Sequence, residues 1–134
     1  MSMSNRLLQK GFQPISLLLL LSAYGCLFLF LLWAAYTNRL PLDLLSTIPN
    51  YDKLGHLILY CIPSYLGHRL CRQKQVKRVG VSLPVFPGLF ALFTIVEELI
   101  QGLSPYRTLD AGDMICSLVG IWVGCWLAQR RDSK

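Results

Sequence analysis

The sequence predicts an all-α membrane protein, a four-transmembrane-helix bundle with short loops and both termini cytoplasmic. Three observations predict it. Of 134 residues, 54% are hydrophobic and only 15% charged, against about a quarter charged in a typical soluble domain. The apolar residues gather into four long runs, at about 15–36, 54–70, 83–103 and 111–128. The cations gather beside the ends of those runs. Four spans of about 20 residues use roughly 80 residues and leave only short loops, so residues 1–134 read as a single membrane domain. One soluble core of this size cannot hide four such runs.

The first run, Ile15 to Tyr36, follows Arg6 and Lys10. It is longer than the apolar region of a cleavable signal peptide and ends without a small-residue cleavage site. An uncleaved span with Trp33 and Tyr36 at an interface is expected. The second run, Leu54 to Leu70, contains Pro63, a kink that neighbouring helices can satisfy. The third, Leu83 to Leu103, has Pro84 and Pro87 near its start, where a helix tolerates proline best. The fourth, Ala111 to Ala128, is closed by Arg130 and Arg131.

Cation placement sets the expected orientation. Arg6, Lys10, Arg69, Arg72, Lys74, Lys77, Arg78, Arg130, Arg131 and Lys134 fall on one side, and Arg39, Lys53 and Arg107 on the other. The positive-inside rule makes the first side cytoplasmic. The net charge of +6 is therefore read as topology, and no nucleic-acid partner is expected. Asp43, Asp52, Glu97, Glu98, Asp110 and Asp113 fall on or near the outer side, with only Asp132 inside. The cysteines Cys26, Cys61, Cys116 and Cys125 fall within spans and Cys71 in the inner loop, so no disulfide framework is expected.

The acids at the outer side share it with other chemistry-bearing residues. Asp52, His56 and Tyr60 recur every fourth residue, which stacks them along one helix face over about 12 Å. Lys53 stands beside them. Glu97 and Glu98 lie within an apolar run, where a carboxylate facing lipid costs a few kcal/mol. Adjacent residues diverge by about 100°, so at least one glutamate must face the bundle interior. Gln101 shares a face with both. Arg107 is the natural partner for the glutamates, because its guanidinium can fork onto a carboxylate or a ligand phosphate. Asp110 and Asp113 precede and open the fourth run. An acid there suits a helix N-terminus, so capping and function are both open for Asp113. Ser117 lies one turn below it. Gly112, Cys116, Gly120 and Gly124 form a ridge of small residues, read as intramolecular helix packing.

These residues, in this order, resemble the VanZ-like membrane proteins. The resemblance rests on Asp52-Lys53-x-x-His56-x-x-x-Tyr60, Glu98-x-x-Gln101, Pro105-x-Arg107, and Asp113 followed by Gly120. It spans about Asp52 to Gly124, over half the chain. It implies a small multi-pass protein of the bacterial envelope, with a role like glycopeptide (teicoplanin) resistance. One position departs from the family pattern, which often has asparagine where Ser117 stands here.

Topology and spacing together predict a polar pocket between the second, third and fourth spans, opening outward. Its expected ligand is a lipid head group, a lipid-linked cell-wall intermediate or an amphiphilic antibiotic. A hydrolase or transferase acting on a lipid is the alternative, in which a metal would join His56, Glu98 and Asp113. The chain has no G-x-S-x-G, H-E-x-x-H or P-loop, which weighs against an enzyme. No metal and no cofactor are expected. A third alternative is a structural or assembly subunit with a membrane-protein partner.

Overall fold

A computed structural model describes residues 3–71 and 74–132, with side chains described over 15–71 and 74–131. The side chains of Arg6, Lys10, Arg72, Asp132 and Lys134, used in the charge argument, lie outside the described residues. The chain is mostly helical. Helix α1 spans Met3–Tyr36, α2 Leu42–Leu45, α3 Tyr51–Leu70, α4 Val85–Gln101 and α5 Ala111–Asp132. Among the described residues, two segments are long and apolar enough to cross a membrane, Ile15–Tyr36 and Ala111–Arg131. The other two long helices differ in physical ways. α4 has 17 residues, or about 25 Å at 1.5 Å per residue, against a hydrocarbon core of about 30 Å. α3 has 20 residues but carries Asp52, Lys53 and Arg69 near its ends.

One expectation is corrected. The link between α3 and α4 is not a plain short loop, because strands β1 (Gln75–Arg78) and β2 (Val81–Pro84) pair antiparallel there. Val76, Val81 and Leu83 lie on this exposed hairpin, so Leu83 belongs to a strand and not to the third helix. The two-residue turn is Val79-Gly80, both at positive φ (49° and 75°). Gly80 accepts that conformation freely, whereas a β-branched valine is strained in it. Elsewhere the element ends shift. The second helix begins at Tyr51, the third ends at Gln101, and the fourth continues to Asp132.

The packing order is not the chain order. α3 packs most extensively against α5, more than against α1 or α4. The two run parallel. Lys53 lies beside Asp113, His56 beside Ser117, and Ser64 beside Ile121, with the Ser64 hydroxyl donating to the Ile121 carbonyl at 2.7 Å. The ridge of small residues explains the closeness. A Cβ on Gly120 would overlap the Leu57 carbonyl, and one on Gly124 the Cys61 carbonyl. α1 and α4 run the opposite way. Tyr24 donates to the Leu59 carbonyl at 2.9 Å, Phe28 meets Tyr60 edge-on at 5.3 Å, and Tyr36 meets Glu97. Helix direction therefore alternates along the chain. The α3 and α5 N-termini share one end with the α1 and α4 C-termini. The hairpin, Arg69, Arg130 and Arg131 share the other. There Tyr65 Oη accepts from both Arg69 (3.3 Å) and Arg131 (3.2 Å).

The interior is polar and the exterior apolar. His56, Ser64, His68, Thr94, Glu97, Glu98, Gln101, Asp113 and Ser117 are buried. The buried hydrophobic cluster is small, built on Phe28, Tyr60 and Ile121. Leu19, Leu29, Ile58, Leu89, Val96, Ile115 and Trp122 are exposed. A soluble domain puts charged residues out and large aliphatic ones in.

Candidate functional site

The polar interior concentrates at the end where α3 and α5 begin. Asp52, His56 and Tyr60 do lie along one face of α3. His56 and Tyr60 stack at 5.9 Å with 6° between ring planes, and both are buried. His56 Nδ1 is 2.9 Å from Ser117 Oγ on α5. His56 Nε2 faces Asp113 Oδ2 at 3.8 Å. Lys53 Nζ stands 3.8 Å from both Asp110 and Asp113.

Capping of α5 falls to Asp110, not Asp113. The Gly112 amide donates to Asp110 Oδ1 at 2.7 Å, and the Met114 amide donates to the Asp110 carbonyl. A side chain that receives the N2 amide satisfies one of the helix's orphan donors. That amide bond, aided by Lys53, holds the Asp110 carboxyl below the usual aspartate range. A carboxyl lowered by folding stabilises above its unfolded range, and the benefit disappears as pH falls through its folded value. Asp110→Ala is therefore expected to lower the melting temperature at neutral pH, and by less at an acid pH below the folded value of Asp110. Thermal unfolding of the detergent-solubilised protein at both pH values checks this.

Both glutamates are buried, although they sit on diverging directions of α4. Each has its own partners. Glu97 accepts from Tyr36 (3.1 Å), Tyr60 (3.3 Å) and Gln101 (2.6 Å), which ties α1, α3 and α4 together. Glu98 is 1% exposed and accepts from the Asp110 amide at 3.3 Å. Arg107 does not fork onto a glutamate as expected. Its Nε donates to Gln101 Oε1 at 3.2 Å, and Gln101 in turn donates to Glu97. Tyr36, read from sequence as an interface anchor, belongs to this cluster through its hydroxyl.

A pocket of about 210 Å³ opens beside these residues. Its walls come from α1 (Leu31, Leu32, Ala35), from Leu40 and Leu45 around α2, and from Leu59 on α3. Asp52, His56, Tyr60, Gln101 and Arg107 supply its polar side. Lys53, Glu97, Glu98 and Asp113 do not line it. Leu40 and Leu45 were missed because they reach the pocket through the path of the chain between α1 and α3, which no local pattern encodes.

Asp52, His56 and Asp113 each offer one ligand atom, all within 4.8 Å of one another. Glu98, named from sequence as a possible third ligand with His56 and Asp113, does not belong to this group; Asp52 takes that place. No profile of a known family, no characterised protein and no solved structure matches this chain.

Proposed function

We propose that the chain is a multi-pass membrane protein of a bacterial-type envelope, VanZ-like in kind, that holds an amphiphile in the pocket between α1, α2 and α3. All four long helices cross the bilayer in this reading, with the hairpin and both termini cytoplasmic and the polar cluster near the outer face. The exposed aliphatic residues of α3 and α4, Ile58, Ile62, Leu89, Leu92, Val96 and Leu99, support it, because these surfaces have no other place out of water. The shortness of α4 is met by local thinning of the bilayer at a modest cost.

The observation that carries the binding role is the two-sided lining of the pocket. Leucines from α1, α2 and α3 offer an apolar wall, and Arg107, Gln101, Asp52 and His56 offer a polar one. Such a site matches a molecule with an acyl or other apolar portion and a head group bearing phosphate or carboxylate, which Arg107 would take. A lipid-linked cell-wall intermediate and a glycerophospholipid share that chemistry.

Mass spectrometry of small molecules co-purifying with the protein tests this. Wild type is expected to retain one enriched anionic amphiphile, and Arg107→Ala and Ala35→Trp are each expected to lose it at least tenfold while staying folded. Identical bulk lipid in all three would overturn the binding role and favour a structural or assembly subunit.

A further inference from the structure

We propose that Asp52, His56 and Asp113 form a binding site for one divalent transition-metal ion, of which Zn²⁺ is the best match. Three observations support it. The ligand atoms of the three side chains already converge within 4.8 Å, though they come from two helices. Donors held about 2.0–2.2 Å from a tetrahedral zinc lie about 3.4 Å apart, so small side-chain rotations complete the site. His56 Nε2 and Asp113 Oδ2, at 3.8 Å, are too far apart for a hydrogen bond and close to that ligand separation.

The second observation is Asp113 itself. It is 4% exposed, and its Oδ1 is buried with no hydrogen-bond partner. The Lys53 ammonium is 3.8 Å away and is shared with Asp110. At 3.8 Å that ammonium is too far for a hydrogen bond, so this buried oxygen lacks a directly bonded partner of the kind a metal ion would supply. Asp110 performs the capping, so Asp113 has no backbone duty that explains its burial.

The third is the setting of the imidazole. Ser117 Oγ lies 2.9 Å from Nδ1. With the proton on Nδ1 donated to Ser117, the lone pair of Nε2 points toward Asp113. Outer hydrogen bonds of this kind fix the tautomer of metal-bound histidines. One imidazole and two carboxylates are a mixed nitrogen–oxygen set suited to zinc or manganese rather than calcium or magnesium. Asp52 also lines the pocket, so the ion's open coordination position would face it. The two parallel helices α3 and α5 would be joined by the ion at the end where they begin.

The test uses the full chain in detergent, stripped with a chelator and dialysed against Zn²⁺, with metal counted by mass spectrometry. One zinc per chain is expected. Asp113→Asn and Asp52→Asn are expected to weaken binding at least tenfold. Ser117→Ala, which leaves all three ligands in place, is expected to weaken it by about tenfold, and the exposed Asp43→Asn to leave it unchanged. Should the ligand variants fail to fold, Co²⁺ added to the stripped wild type reports directly, through visible absorption bands of a low-symmetry nitrogen–oxygen site. Less than one zinc per chain without such bands, or full binding by Asp52→Asn and Asp113→Asn, would overturn the proposal. Because no amphiphile is added, this result is independent of the pocket's occupant.

Discussion

Gly124→Leu is expected to separate α3 from α5 and to abolish recovery of a monodisperse protein. Gly124 faces the Cys61 carbonyl and Ser64, and a Cβ there overlaps backbone, not the far end of a flexible side chain. The helix axis itself must move. Overpacking by one or two methylenes costs about 1–3 kcal/mol in a well-packed core. A leucine against backbone exceeds that, so about 3 kcal/mol or more is expected. The displacement also breaks the Ser64–Ile121 and His56–Ser117 contacts above it. Gly25→Leu is the matched control, since a Cβ on Gly25 meets nothing within 4 Å. Size-exclusion chromatography in detergent should show a monodisperse peak for the control and aggregate for Gly124→Leu. Equal behaviour would contradict the close α3–α5 contact.

The second large effect is expected at Glu97. Glu97→Leu removes the acceptor shared by Tyr36, Tyr60 and Gln101. Tyr60 and Gln101 are buried, so two donors lose their partner away from water. Each such donor costs about 1–3 kcal/mol, which gives a loss of about 3 kcal/mol for the pair. Glu97→Gln keeps one acceptor oxygen, which in the Oε1 position still accepts from Tyr36 and Gln101 while the new amide N–H can donate to the Tyr60 hydroxyl oxygen, and it is expected to cost less than half as much. Replacing Gln101 by leucine in the Glu97→Leu background removes one stranded donor and should restore part of the loss. Thermal unfolding in detergent measures all three. A Glu97→Leu variant as stable as wild type would mean that Glu97 does not join α1, α3 and α4.

Some of this arrangement was legible in the sequence. The fourfold spacing of Asp52, His56 and Tyr60 sufficed to put them on one helix face. The ridge at Gly120 and Gly124 signalled a close helix contact. Its partner was not legible, because small residues permit an approach without naming what approaches. The structure places α3 there. The burial of both Glu97 and Glu98 was not legible either. Their divergence by about 100° required only that at least one face the interior. Glu97 reaches Tyr36 of α1 and Tyr60 of α3, while α4 also packs against α5 and Glu98 reaches the loop before it. The hairpin was hidden because Leu83 and Pro84 continue the hydrophobic composition of α4. The pocket depends on the path of α1 and of the chain between α1 and α3, which is tertiary information.

The central claim is that the polar cluster lies at the outer face of a bundle whose helices all cross the membrane. Site-directed labelling tests it most directly. The chain has five cysteines, which are first replaced. Single cysteines are then introduced by Val79→Cys at the hairpin turn and Thr108→Cys in the link between α4 and α5. Intact cells are treated with a membrane-impermeant maleimide. Thr108→Cys is expected to label in intact cells, and Val79→Cys only after the membrane is opened. Labelling of both from the same side, or of Val79→Cys alone from outside, would contradict it.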